Sequence, residues 1–230
     1  MRIELVNEMS CIVYFGDNIS EQTASQVSWA IDRIRADMSD QVVDIVASYT
    51  SILVYYDIEK TDRFKIIASL KHTLRDSRDG YERQVGSEVI DLPVYYGDDV
   101  ALDMDDVCQY NKLSREEVIT IHSEKLYQVF AIGFSPGFAY LGTTDERIAT
   151  PRKSTPRLKV PTGSVGIADN QTAIYPSPTP GGWQIIGRTP IKMVDWESDS
   201  FAKVAVGNHV RFRSITKQEF LQLGGNLNEF

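Results

Sequence analysis

The sequence is poor in cysteine, in long apolar runs and in positive charge, and each shortage excludes a class of protein. Its 230 residues include two cysteines, too few for a scaffold built on disulfides. The longest apolar runs are short pieces such as Ser51–Tyr56, far below the roughly 20 residues that a membrane-spanning helix needs. The formal net charge is −8, whereas a general nucleic-acid binder carries a basic surplus. We therefore expect no membrane span and no nucleic-acid partner.

Signals for metal binding and for export are also scarce. The chain has no C-x-x-C pair, and its three histidines are scattered, so we expect no metal site. The amino-terminal stretch MRIELVNEMS carries acidic residues and lacks the apolar core of a signal peptide. These features predict a cytoplasmic protein. Hydrophobic residues make up 42% of the chain, which is enough to bury a core.

Strands and helices alternate in the pattern of residues 1–85, which we interpret as an amino-terminal α/β domain. The order strand, helix, strand, strand, helix gives most of the split β-α-β pattern of ferredoxin-like folds. The polar, turn-rich segment Asp76–Arg83 ends the domain. The expected elements are a strand at Cys11–Phe15, a helix capped by Ser20, strands at Val42–Ser48 and Ser51–Tyr56, and a helix that begins at Thr61.

Residues 86–230 form a second expected domain, in which proline and glycine, the residues that interrupt helices and strands, are concentrated. Eight of the nine prolines and seven of the fifteen glycines lie between Pro136 and Pro190. Many short strands between such breakers are typical of a β-barrel or a β-sandwich, so the whole chain is predicted to be α+β. Expected strands are Val89–Tyr96, Tyr127–Ile132, Val165–Ala168, Thr172–Tyr175, Gln184–Ile186, Ile191–Val194 and Val210–Phe212; expected helices are Ala101–Lys112, Ser114–His122 with a Ser114/Glu117 capping box, and a short one after Thr216.

Positive charge is concentrated in residues 151–192, which we call the basic segment. It holds six lysines and arginines and one acid, Asp169, inside an acidic chain. A cationic, glycine-rich surface is suited to an anion such as phosphate or carboxylate. The stretch Gly182–Thr189 is close to a P-loop, but it overlaps an expected strand and is followed by Pro190, so we interpret the match as chance.

The ordered motifs from Leu113 onward are more specific than composition. They are LS with EEV and IHS at 113–123, FSPGFAYLG at 134–142, TPR at 150–152, PR at 156–157, VP at 160–161, GSVGI at 163–167, QT at 171–172, IYP at 174–176, TPGGWQ at 179–184 and IGRT at 186–189. In this order they resemble the family that contains the B subunit of bacterial ATP-dependent 5-oxoprolinase, allophanate hydrolase subunit 1 and a sporulation-kinase inhibitor.

The resemblance implies a cyclophilin-like β-barrel for the carboxyl-terminal domain and a complex with 5-oxoprolinase subunits A and C. It implies ATP, with magnesium as its counter-ion, shared with a partner subunit, and 5-oxoproline as the substrate. A lactam is a poor electrophile, and phosphorylation of its oxygen would activate it. Phosphoryl transfer depends on positioning and positive charge rather than on a protein nucleophile.

Within the motifs we assign candidate roles to eight residues. Guanidinium groups bind phosphate or carboxylate bidentately, and hydroxyl and amide groups can orient a lactam by hydrogen bonds. Proton transfer needs a group such as an imidazole or a phenol. The candidates are Arg157 and Arg188 for phosphate or the substrate carboxylate, Ser164, Gln171, Thr172 and Thr189 for the lactam, and His122 and Tyr175 for proton transfer.

Two other functions remain open from the sequence. The chain could bind and inhibit a sensor histidine kinase, with the aromatic loop Phe134–Leu141 as the contact, since aromatic side chains anchor interfaces. It could also serve allophanate or urea metabolism beside a biotin-dependent enzyme.

Overall fold

A computed structural model describes residues 1–75, 89–198 and 201–227. The chain divides into two compact units, Met1–Ser87 and Glu88–Phe230. The segment Asp76–Arg83, where the sequence predicts the domain boundary, lies outside the described residues. Among the helices that the structure describes, none is long and apolar enough to cross a membrane.

The amino-terminal unit is an antiparallel sheet with strand order β1-β2-β4-β3, packed against two helices. The Ser20 side chain accepts a hydrogen bond from the Thr23 N–H, which confirms the predicted helix cap. The second helix is capped by Asp62 and not by Thr61. The elements are β1 (Arg2–Asn7), β2 (Ser10–Tyr14), α1 (Glu21–Asp37), β3 (Val42–Ala47), β4 (Ser51–Tyr56) and α2 (Arg63–Thr73).

The chain order of this unit differs from the expected pattern. A ferredoxin-like unit is β-α-β-β-α-β, whereas this unit is β-β-α-β-β-α. The additional strand, β1, pairs with β2 at the edge of the sheet and precedes the pattern. The alternation Arg2-Ile3-Glu4-Leu5 in β1 is a strand signal that the sequence analysis did not use, and most of the strand is exposed. The ferredoxin-like arrangement is therefore not confirmed.

The strands of the second unit form a closed barrel in the order β10-β7-β6-β13-β5-β12-β9. Of the two folds that the sequence left open, the unit is therefore a β-barrel and not a β-sandwich. Strands β5 and β13 are parallel, and β8 pairs with β11 in a separate two-stranded sheet. The elements are β5 (Ile90–Tyr95), α3 (Met104–Asn111), α4 (Arg115–Glu124), β6 (Leu126–Ile132), β7 (Ala139–Gly142), β8 (Arg157–Val160), β9 (Ser164–Ala168), β10 (Gln171–Ile174), β11 (Thr179–Gly181), β12 (Gln184–Arg188), β13 (His209–Ile215) and α5 (Lys217–Gln222).

Local signals located most of these elements but missed the shortest ones. The Ser114/Glu117 capping box is present in both directions, and Thr216 caps α5. The strand predicted at Ile191–Val194 is wrong, because its residues form only an isolated bridge between Val194 and Ala202. Strands β7, β8 and β11 were not predicted, since each is four residues or fewer and lies beside glycine or proline.

Candidate functional site

The two faces of the barrel wall separate residues that are neighbours in the sequence. Along β10, Ile174 packs into the barrel core, whereas Ala173 belongs to an apolar cluster on the outer face. This alternation is the ordinary period of a strand. Tyr175 also belongs to the outer cluster, together with Phe138 and Trp183. This part of the outer face of the barrel wall is therefore apolar.

A cavity of about 310 Å³ opens on this outer cluster, and we call it the aromatic pocket. Five aromatic rings line it, and the Phe138 ring contacts those of Tyr140, Tyr175 and Trp183 edge to face, with centroids 4.9, 5.2 and 5.7 Å away. Such contacts fix the rings relative to one another. The volume lies at the low end of the roughly 300–1,000 Å³ typical of small-molecule sites. The pocket therefore suits a small ring compound better than a whole nucleotide.

Two residues that line this pocket have backbone conformations that residues other than glycine rarely adopt. Phe134 has φ 68° and Asp169 has φ 52°, both in the left-handed region. Such strain costs on the order of 1–3 kcal/mol and is concentrated at ligand sites. Phe134 is also 64% exposed, so burial of its ring does not offset the strain. These observations favour the aromatic pocket as the functional site.

Of the eight candidate residues, Gln171 and Tyr175 line the aromatic pocket. Burial raises the pKa of the Tyr175 phenol to about 12, although a backbone hydrogen bond from Trp183 opposes the rise. The phenol is therefore protonated at neutral pH, and it is suited to donate a hydrogen bond rather than to act as a base. The Gln171 carboxamide offers both a donor and an acceptor.

His122 and Thr172 lie in the barrel core and not in the aromatic pocket. The His122 Nδ1 is 2.8 Å from the Tyr96 hydroxyl, and its Nε2 is 2.9 Å from the Thr172 hydroxyl. The imidazole also stacks on the Phe212 ring, with centroids 4.5 Å apart. Burial lowers the pKa of His122 to about 3, so the ring is neutral. This network satisfies the buried polar groups that join α4 to β10.

Arg157 is paired with a carboxylate that the sequence analysis did not single out. Asp103 is 1% exposed, and its two oxygens accept hydrogen bonds from the Arg157 guanidinium at 2.8 and 2.6 Å. Its carboxylate also accepts from Lys153 Nζ at 2.7 Å and from the Ile185 N–H at 2.7 Å. We call these four residues the Asp103 cluster. Burial alone raises the pKa of Asp103, but these hydrogen bonds outweigh it and lower that pKa below its usual value.

Arg188, Ser164 and Thr189 lie together where β12 pairs with β9, and none of them lines the aromatic pocket. Arg188 stands opposite Ser164 in the strand register, and both are buried. The Arg188 guanidinium donates to the Asn226 carbonyl at 2.8 Å. The Thr189 N–H donates to the Gly163 carbonyl at 2.9 Å. The structure thus divides the eight candidates among the pocket, the core, the Asp103 cluster and this buried strand end.

Several cations and backbone amides of the basic segment are bound within this chain. Asp103 pairs with both Lys153 and Arg157, Asp106 also contacts Lys153, and the N–H of Gly163 donates to the Tyr175 carbonyl at 2.7 Å. Among the residues that the structure describes, no group of three or more His, Cys, Asp or Glu side chains is placed to hold a metal ion.

Sequence reasoning did not assign Arg152 or Trp183 to a site, although both line the aromatic pocket. It also interpreted the Phe134–Leu141 loop only as a protein contact. The aromatic content of the motifs was visible, but residues more than forty positions apart, such as Phe138 and Trp183, meet only in the folded barrel.

Known proteins with similar sequences match most of this chain. Residues 1–204 match the family model described as carboxyltransferase domain, subdomain C and D. The 5-oxoprolinase B subunit of Bacillus subtilis (strain 168) is 34% identical over 229 residues, covering 95% of each chain. The protein of the same name from Haemophilus influenzae is 32% identical over 212 residues, covering 92% of this chain and 97% of that one.

Solved structures share the fold. The protein TTHA0988 superposes with a TM-score of 0.80 at 28% identity over 91% of this chain, which spans 40% of that longer protein. The urea carboxylase of Kluyveromyces lactis superposes with a TM-score of 0.73 at 19% identity, over 96% of this chain and 22% of that one. The resemblance carried by the ordered motifs is thus confirmed, and the chain belongs to the family of 5-oxoprolinase B subunits.

Proposed function

We propose that this chain is the B subunit of an ATP-dependent 5-oxoprolinase, which converts 5-oxo-L-proline to L-glutamate together with subunits A and C. The observation that carries the proposal is the match to relatives named as 5-oxoprolinase B subunits, at 34% and 32% identity over nearly their whole length. The urea enzymes match at 22% identity or less and over a small share of their own length. The kinase-inhibitor and urea-pathway alternatives therefore have weaker support.

The aromatic pocket is the proposed place for the substrate. Its rings offer flat apolar walls to a five-membered ring, and polar groups lie at its margin. We propose that Gln171 orients the lactam and that the protonated Tyr175 phenol donates a hydrogen bond to the substrate. Both residues were candidates from the sequence, and their common location supports the assignment.

The remaining candidates receive positioning roles in this proposal. Arg157 holds the start of β8 through Asp103, and Arg188, Ser164 and Thr189 stabilise the buried end of β12. His122 and Thr172 join α4 to the barrel. A catalytic role for His122 stays a prediction, and its burial argues for the structural one.

We place ATP and its magnesium mainly on a partner subunit. Lys153, Arg157 and Arg188 are bound within this chain, as described above, and we derive no phosphoryl-transfer step from the residues of the basic segment. The chain is accordingly expected to be inactive alone and to act as part of a hydrolase complex. Its cytoplasmic location stays a prediction.

The finer fold assignments belong to the same proposal. We propose that the barrel is cyclophilin-like, as the motif resemblance implies. What supports this is that the strands of the second unit close into a barrel. For the amino-terminal unit we propose a ferredoxin-like sheet in which β1 takes the place of the strand that would follow α2.

The test is reconstitution of 5-oxoproline-dependent ATP hydrolysis. The chain is assayed alone, with its partner C, and with subunits A and C together. The Bacillus subtilis B subunit, with its own partners, serves as the positive control. Activity that arises only on mixing supports the proposal, and glutamate release should require partner A. Failure in every mixture, with partners that are active beside a known B subunit, would contradict it.

A further inference from the structure

Arg152 is the cation of the basic segment that lines the aromatic pocket. Within residues 1–75, 89–198 and 201–227, its guanidinium has no ion-pair partner, whereas neighbouring Lys153 and Arg157 are both bound to Asp103. Burial raises the pKa of the Tyr140 and Tyr175 phenols, and the charge of Arg152 opposes the rise in both. The positive charge of Arg152 thus acts on two of the tyrosine side chains that line the pocket.

The backbone on both sides of Arg152 is anchored. Thr150 and Asp169 exchange backbone hydrogen bonds at 3.1 and 2.8 Å. The Gln184 side chain donates to the Pro151 carbonyl at 2.9 Å. On the other side, the Lys153 N–H donates to the Gly182 carbonyl at 2.8 Å. The backbone at Arg152 is therefore fixed, which limits the positions that its exposed guanidinium can reach.

The same anchors bring a carboxylate to the pocket. Asp169 lines the cavity and is held next to the Arg152 loop by its two bonds to Thr150. Its strained φ of 52° is maintained by this pairing. The pocket margin therefore presents a hydrogen-bond acceptor at Asp169, a donor and acceptor at Gln171, and a bidentate cation at Arg152.

We infer that the aromatic pocket binds a small planar ring that bears a carboxylate and an amide N–H, with the carboxylate on Arg152 and the N–H on Asp169. The aromatic walls contact the faces of the ring, and Gln171 donates to the amide oxygen. This inference rests on the proposed function, because 5-oxoproline has this set of groups. It adds Arg152 and Asp169 to the site and fixes the orientation of the substrate.

The test compares Arg152→Gln with the matched control Lys159→Gln. Lys159 carries the same charge in the same segment, is exposed, and lies outside the pocket wall. In the complex with subunits A and C, Arg152→Gln should raise KM for 5-oxo-L-proline roughly 10- to 100-fold, the value of a charge-assisted hydrogen bond. The KM for ATP should stay unchanged, and Lys159→Gln should leave both constants unchanged. Equal melting temperatures for the two variants show that both are folded.

Binding provides a readout that does not depend on turnover. Calorimetry of the same complexes compares 5-oxo-L-proline with 2-pyrrolidinone, which lacks the carboxylate, and L-proline, which lacks the amide. The wild type should prefer 5-oxo-L-proline to 2-pyrrolidinone, and Arg152→Gln should abolish that preference. Asp169→Asn should weaken the binding of both lactams.

The outcomes separate this inference from the proposed function. An active complex whose KM for 5-oxo-L-proline is unchanged by Arg152→Gln overturns the inference and leaves the function standing. A rise in the KM for ATP alone would place nucleotide phosphate on Arg152 and would also overturn it. Arg152-dependent binding of 5-oxo-L-proline without turnover supports the inference against the function. Neither binding nor turnover in the wild-type complex overturns both.

Discussion

Replacement of Asp103 by asparagine removes the charge around which the basic segment is organised. Asp103 is 1% exposed, and the side chains of Arg157 and Lys153 are 26% and 25% exposed. Loss of one partner from a buried ion pair costs about 3–5 kcal/mol, because the remaining charge is left uncompensated. Since solvent reaches a quarter of each cation, we expect the lower end, about 3 kcal/mol. At roughly 2–4 °C per kcal/mol for a chain of this size, the melting temperature should fall by roughly 6–12 °C.

The assay is thermal and urea unfolding of the full chain, with Asp106→Asn as the matched control. Asp106 contacts the same Lys153 amine at 3.2 Å, but its side chain is 61% exposed. Exposed pairs contribute about 0–1 kcal/mol, so Asp106→Asn should change the free energy of unfolding by less than about 1 kcal/mol. Equal losses in the two variants, or a loss below about 1 kcal/mol for Asp103→Asn, would refute the reasoning.

The same carboxylate has a defined pH signature. Burial raises the pKa of Asp103, but hydrogen bonds from Arg157, Lys153 and Ile185 lower it overall, below the value of about 3.9 in an unfolded chain. A carboxyl group with a lowered folded-state pKa contributes stability above the unfolded pKa, and that stability is lost as the pH falls through the folded pKa. The acid loss below about pH 4 should therefore be smaller in Asp103→Asn than in the wild type.

Two further predictions concern the core and the pocket rim. The folded His122 has a pKa of about 3 and the unfolded residue about 6.5, so the unfolded chain binds the extra proton and stability should fall as the pH decreases from about 6.5 towards 3, by up to about 1.4 kcal/mol per pH unit. Urea unfolding at pH 7 and pH 5 should show this loss in the wild type and a smaller one in His122→Asn; equal slopes would contradict the assignment. Phe134→Gly should raise stability by about 1 kcal/mol by relieving the φ of 68°, while raising KM for 5-oxo-L-proline in the complex. Melting and kinetics check both, and an unchanged KM would remove Phe134 from the binding site.

Prediction from the sequence succeeded where a local physical signal determines the structure. Ser20 and the Ser114/Glu117 pair each place a hydrogen-bonding side chain where a helix begins, and each begins a helix in the structure. The concentration of short strands between Pro136 and Pro190 predicted a β-rich unit. It left barrel and sandwich open, because closure depends on pairings such as β5 with β13 between distant segments.

The candidate site was less predictable, because residue type does not reveal which face of a strand a side chain occupies. Gln171 and Thr172 are adjacent and equally polar, yet Gln171 lines the pocket and Thr172 bonds to His122 in the core. Arg152 and Arg157 are five residues apart and carry the same charge. Asp103, about fifty residues earlier, engages Arg157 and leaves Arg152 available, and no pattern within the basic segment could show that choice.

The position of the aromatic pocket follows from how the barrel is filled. The interior of the seven-strand barrel is packed with side chains such as Val165, Ile167 and Phe212, so it offers no room for a ligand. Space for a ligand arises where the two-stranded sheet of β8 and β11 flanks the outer wall. There Gly181 lies against the Tyr175 phenol so closely that any side chain at that position would collide with its hydroxyl. The glycine and proline content of this region thus has a specific consequence. It lets β11 approach the barrel wall, where the strand fixes Tyr175 and leaves the pocket beside it open.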